Sequence, residues 1–156
     1  MRTTARSFFF STLLAAALVI SARAAEPETP YTRIAKLASS ISDGEPVGAL
    51  EAFDKSLPRY AAIAANLQAL SSQTDVLCSI DIVEDKEADN DLSEVHHLDL
   101  DWYMTLKSRA DEGLIEKRRL RVAVTLQRFK SGSGKPGVWR ITSLAPETIL
   151  APITIK

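Results

Sequence analysis

At Gln73 the spacing of apolar residues changes, and that change restricts the folds open to the chain. Before it, apolar side chains return every three or four positions; after it, they return every second position. The first period belongs to a helix with one buried stripe, the second to a strand with one buried face. A chain that keeps the two in separate halves makes an α+β domain, with helices packed on one face of an antiparallel sheet.

In the first half, Ile34, Leu37, Ala38 and Ile41 predict a helix over residues 32–42, ended by Asp43-Gly44. Pro46 suits the first turn of a second helix, with Val47, Leu50 and Phe53 as its stripe. Ser56 as a cap and Pro58 in the first turn open a third, with Tyr60, Ile63, Ala64, Leu67 and Leu70 turned inward. In the second half, Val76, Cys78, Ile80 and Ile82 form the apolar side of a first strand, and the acidic residues 84–94 read as a turn or loop. The longest alternation follows, with His96, Leu98, Leu100, Trp102, Met104 and Leu106 on one side. Val95, His97, Asp99, Asp101, Tyr103 and Thr105 occupy the other. A turn over residues 109–114 leads to a third strand carrying Leu120, Val122, Val124 and Leu126. A glycine-rich loop over 131–137 leads to a fourth, with Trp139 and Ile141 inward. Burying one common face requires paired residues of like parity. The expected pairs are Leu100 with Val124, Trp102 with Val122, Met104 with Leu120 and Tyr103 with Arg121, Asp101 lying diagonal to Arg121.

Residues 1–24 read as a cleavable signal peptide: Arg2 and Arg6, an apolar run over 8–20, then Ala22-Arg23-Ala24. That run is shorter than the roughly 18–20 residues a membrane span needs. Cys78, the single cysteine, stands far from the cut, so the product is expected to be no lipoprotein but a soluble periplasmic or extracellular protein with no integral membrane segment. Residues 25–30 form a loosely ordered lead and 31–156 one domain. Without the leader's three arginines the chain keeps 16 basic and 20 acidic residues, a net charge of −4. That balance gives no electrostatic footprint for nucleic acid. One cysteine excludes an internal disulfide and a multi-cysteine zinc site.

No residue pattern specifies a catalytic site. His96 sits on the apolar side of the long strand, near one end of the sheet, where it could act as a base or bind a ligand. The plainer reading is a partly exposed histidine beside the acidic loop. His96 and His97 point to opposite faces and cannot chelate one metal ion. The acids of 84–94 lack the spacing of a calcium loop. Isomerase chemistry on a ketosteroid needs an acid in an apolar cavity, and the apolar strand positions hold none; Asp81, Asp99 and Asp101 have the other parity. Cys78 reads as a buried small hydrophobe. Lys117, Arg118, Arg119 and Arg121 read as partners for Asp99 and Asp101. No metal and no cofactor are implied.

The order of these elements resembles the NTF2-like superfamily, a cone-shaped fold shared with SnoaL-like proteins and ketosteroid isomerases. The likeness rests on Phe53-Asp54 closing the second helix, the Leu57-Pro58…Tyr60 restart and the strand over 95–108. It extends to the closing Val138-Trp139-Arg140-Ile141. One departure is the short stretch 54–57, where the superfamily usually has a hairpin, which implies a remodelled cone mouth. The resemblance makes Phe53, Tyr60, His96, Leu98, Trp102, Met104 and Trp139 candidate pocket-lining residues. Tyr103, Arg121 and Thr125 are candidates for an interface on the opposite face. The leading expectation is non-enzymatic binding of a small apolar ligand or a protein partner. The alternatives are a SnoaL-like isomerase, cyclase or hydrolase, and a dimeric accessory domain. A filled interior favours the last; a buried histidine or carboxylate beside a cavity favours the enzyme.

Overall fold

The computed structural model describes residues 27–130 and 137–154. The expected signal peptide, the start of the lead and most of the 131–137 loop lie outside the described residues. The elements run α1 (Pro30–Ser42), α2 (Pro46–Leu50), α3 (Tyr60–Gln73), β1 (Thr74–Glu87), β2 (Ser93–Ser108), β3 (Leu114–Phe129) and β4 (Arg140–Ala145), followed by a 3-10 turn at Glu147–Leu150. The class is the α+β one read from the sequence: four antiparallel strands in the order β1-β2-β3-β4, with the helices packed against one face.

The helices differ from expectation at their ends. α1 starts two residues early because Thr29 and Thr32 cap it reciprocally, each hydroxyl accepting from the other's backbone N–H. α2 is only five residues long, so its one buried position is Ala49, while Val47 stands 75% exposed instead of facing the core. Ser56 caps nothing: the Asp54 carboxylate accepts from its N–H and its hydroxyl, closing a turn, and α3 begins four residues later at Tyr60. Ile63, Leu67 and Leu70 are buried, as the stripe required. In the stretch where a hairpin would stand, Phe53 makes one parallel rung with β4. The Asp54 N–H donates to the Ile141 carbonyl, and the Ile141 N–H donates to that of Ala52.

The long strands keep the expected parity but slide by two residues. Leu100 faces Val122, Trp102 faces Leu120, Met104 faces Arg118, and Tyr103 faces Arg119. Asp101 lies directly opposite Arg121, not diagonal to it, and instead pairs with Arg119. Parity fixes the buried face and cannot tell registers two apart; the turn decides. Here Ser108 and Gly113 close it, Glu112 takes a left-handed φ of 57°, and an extra residue at Ile115 bulges β3.

Two more bulges reshape the faces. On β1, Ile82 pairs with Leu100 but Glu84 pairs with Asp99, leaving Val83 extra. On β4, Leu126 pairs with Ile141 and Thr125 with Ser143, so Ile141 and Leu144 both point inward across Thr142. The acidic stretch is not all loop: β1 continues through Glu87 and β2 resumes at Ser93. Gly137 lies against β3, where any Cβ would meet the Phe129 carbonyl oxygen at 2.6 Å.

Candidate functional site

The inner face of the sheet and the helices close on a filled core. Leu98, Trp102, Met104 and Trp139, expected around a pocket, are at most 2% exposed and interdigitate with Leu37, Ile63, Leu106 and Ile149. The Trp102 indole N–H donates to the Cys78 sulfur at 3.1 Å. Burial pushes the Cys78 thiol up to about 12, so it stays protonated and unreactive.

At the end of the sheet where β1 and β2 join, the Val83 bulge corrects the expectation that the inward face holds no acid. Beyond the bulge the parity of β1 reverses, and Asp85 pairs with Leu98 on the inward side. Its carboxylate lies 2.8 Å from His96 Nδ1, and both side chains are nearly buried. A carboxylate only accepts hydrogen bonds, so Nδ1 carries the proton and Nε2 is the free nitrogen. The Tyr31 hydroxyl donates to the other Asp85 oxygen at 2.7 Å, which raises the Tyr31 phenol above its ordinary value. The edge of the His96 ring meets Trp139, centroids 5.1 Å apart at 81°.

The start of α1 fastens over this cluster. The Trp139 indole N–H donates to the Glu28 carbonyl at 3.1 Å, and the Glu28 carboxylate pairs with the buried Arg33 guanidinium at 2.7 Å. Arg128, paired with Glu94, lies over the Trp139 ring. Of these residues the sequence singled out only His96 and Trp139. Tyr31, Glu28 and Asp85 carry no local signal, because chain reversal and a bulge bring them together. An oriented imidazole with a free Nε2 is the geometry of a general base, but clefts of about 710, 590, 390 and 230 Å³ open elsewhere, lined by neither His96 nor Asp85.

Phe53 and Tyr60 do share a cleft, the one of about 590 Å³ between α2 and the start of α3, with Val47, Leu50, Glu51, Asp54, Lys55 and Arg140 around it. His97 faces away from His96, its Nδ1 3.1 Å from the Thr125 hydroxyl.

Among the described residues nothing packs over the opposite face of the sheet. Tyr103, Arg121 and Thr125 lie on it together with Leu77, Val83, Ala123 and Phe129. Arg119 forks onto Asp101, the shorter contact being 2.6 Å, and Arg121 approaches Asp99 at 3.7 Å, so acids stand on β2 and bases on β3. The Arg119 hydrogen bonds hold the Asp101 carboxyl below the usual carboxylate range.

No protein-family model matches the chain, and no curated protein matches its sequence. Solved structures similar to it include an NTF2-like superfamily protein from Salmonella enterica, 16% identical over 80% of this chain and 89% of that one, TM-score 0.47. A proposed dehydratase of the NTF2-like family from Streptomyces avermitilis is 9% identical, covering 74% and 95%, TM-score 0.45. A proposed aromatic ring hydroxylase from Novosphingobium aromaticivorans is 7% identical, covering 77% and 92%, TM-score 0.49. Two of these neighbours are themselves described as NTF2-like, the superfamily that the order of elements in the sequence resembles.

Proposed function

We propose that the mature chain is an exported, non-enzymatic binding domain that pairs with a second copy of itself through the open face of its sheet. The make-up of that face supports the reading most. Leu77 and Phe129 are each more than 60% exposed on it, beside Tyr103, Ala123 and Thr125. Its acids, Asp81, Asp99 and Asp101, stand on β1 and β2; its arginines, Arg119 and Arg121, on β3. A two-fold axis parallel to the strands would lay β1 and β2 of one copy over β3 and β4 of the other, bringing acids to bases. Strands of 14–16 residues supply ample area for the roughly 800 Å² per partner of a standard interface. The small apolar ligand has less support, because the inward apolar positions fill the core. Export rests on the leader pattern of residues 1–24.

Sedimentation tests the pairing. The wild-type protein is expected to run as a dimer at about 50 μM, an ordinary affinity for a standard interface. Tyr103→Glu would bury a charge at the contact and should release monomer with an unchanged circular dichroism spectrum. A wild-type monomer at that concentration overturns the reading. The enzyme alternative keeps one specific observation, the Asp85-oriented His96; it gains weight if a hydrophobic substrate turns over and His96→Gln abolishes that turnover.

A further inference from the structure

We propose that residues 28–31, at the start of α1, form a flap that lifts to open a space beside the Asp85–His96 pair. The inference holds whether or not two copies of the chain associate. It starts from two features that the closed form leaves without a purpose. The Asp85 carboxylate orients the His96 imidazole, yet the clefts of about 710, 590, 390 and 230 Å³ reach neither residue. Arg33 is the one charged residue buried among the described residues, and its Nε–H has no acceptor. A buried donor of that kind normally has one.

Both features meet at the same short segment. The Tyr31 hydroxyl donates to Asp85 at 2.7 Å, and the Glu28 carboxylate holds Arg33 at 2.7 Å. The Glu28 carbonyl accepts from the Trp139 indole N–H at 3.1 Å and from Arg128 at 3.4 Å. Trp139 in turn meets the edge of the His96 ring. The segment is thus fastened to the sheet by polar contacts. Pro30 is its one buried apolar side chain, and Tyr31 is 51% exposed. Polar contacts exchange for water at small net cost, and local opening begins at helix ends. The closed form also keeps the Arg33 Nε–H from water, which the open form would return to it, so the two forms lie closer in free energy. Lifting the flap would uncover the Trp139 ring and give His96 Nε2 the room that a base or a ligand-binding imidazole needs. The sheet and its core would stay in place.

Labelling with diethyl pyrocarbonate, which acylates neutral imidazole nitrogen, tests the proposal, read residue by residue by mass spectrometry. His97 is the internal reference: it adjoins His96 but is exposed on the other face of the sheet. His96 should label at least about tenfold more slowly than His97, at a rate that follows the open fraction. Tyr31→Phe and Glu28→Gln should each speed His96 labelling about three- to tenfold, the weight of one hydrogen bond, and leave His97 unchanged. Amide exchange over residues 31–34 should rise by a like factor, while the amides of the buried Leu67 and Leu106 keep their protection. Equal labelling of the two histidines in the wild type would overturn the proposal. So would unchanged His96 labelling in both variants, or an exchange rate that rises equally at Leu67 and Leu106, which would mean that no flap opens by itself.

Discussion

Trp102 and Asp99 are three residues apart on one strand and face opposite worlds. The Trp102 ring is fully buried under the helices, whereas the Asp99 side chain is 45% exposed and only loosely paired. Trp102→Ala should cost about 3–5 kcal/mol and Asp99→Ala about 1 or less, read from urea melts; comparable losses would refute the assignment of faces. Asp101 adds a pH dependence. The Arg119 hydrogen bonds depress its folded-state value, so its stabilisation is present in full above the unfolded aspartate value of about 3.9 and fades as pH falls through the folded one. Asp101→Asn should flatten that part of the acid limb of stability and leave the slope above it unchanged. His96 was legible as an inward histidine from alternation alone. Its partner was not, since Asp85 counts as outward along an unbroken strand; the adjacent apolar pair Ile82-Val83 is the one trace of the break.

The elements themselves were read from their periods, and their misplacements have local causes: a threonine box lengthened α1, an aspartate turn delayed α3, and a bulge and turn set a register that parity leaves free. The Val83 bulge makes a sharper prediction. Deleting Val83 removes only the extra residue, so Ile82 and Glu84 can keep their partners and Asp85 still faces His96. Deleting Ile80 instead turns Val76 and Cys78 to the solvent side, or slides the rest of β1. The Ile80 deletion should lose at least about 2 kcal/mol more in a urea melt, since each displaced side chain forfeits about that much burial. The Val83 deletion should retain the Nδ1–H tautomer of His96, which ¹⁵N spectra report.

For the whole molecule, the α+β class followed from where the period changes, but whether the interior is hollow did not. Inward Trp102 and Trp139 look the same in a sequence whether they line a space or fill it. If the proposed export holds, the protein recovered outside the cytoplasm should begin at Ala25 or Glu26, checked by its intact mass; a retained Met1 would refute secretion with cleavage. One asymmetry of the sheet bears on how the protein survives in company. β4 spans six residues and pairs only with residues 123–127 of the sixteen-residue β3. From Leu114 to Val122, then, one flank of β3 has no strand beside it among the described residues, and such a flank is a template on which foreign chains can add. Here it is guarded by composition and by a strap. Glu116, Lys117, Arg118 and Arg119 put four charges in succession along it. Arg118 grips the carbonyls of Ile149 and Ala151, and Gln73 accepts from the Ile153 N–H, holding residues 149–153 near that flank. A foreign strand joining this flank would have to pass that run of charge and displace residues 149–153.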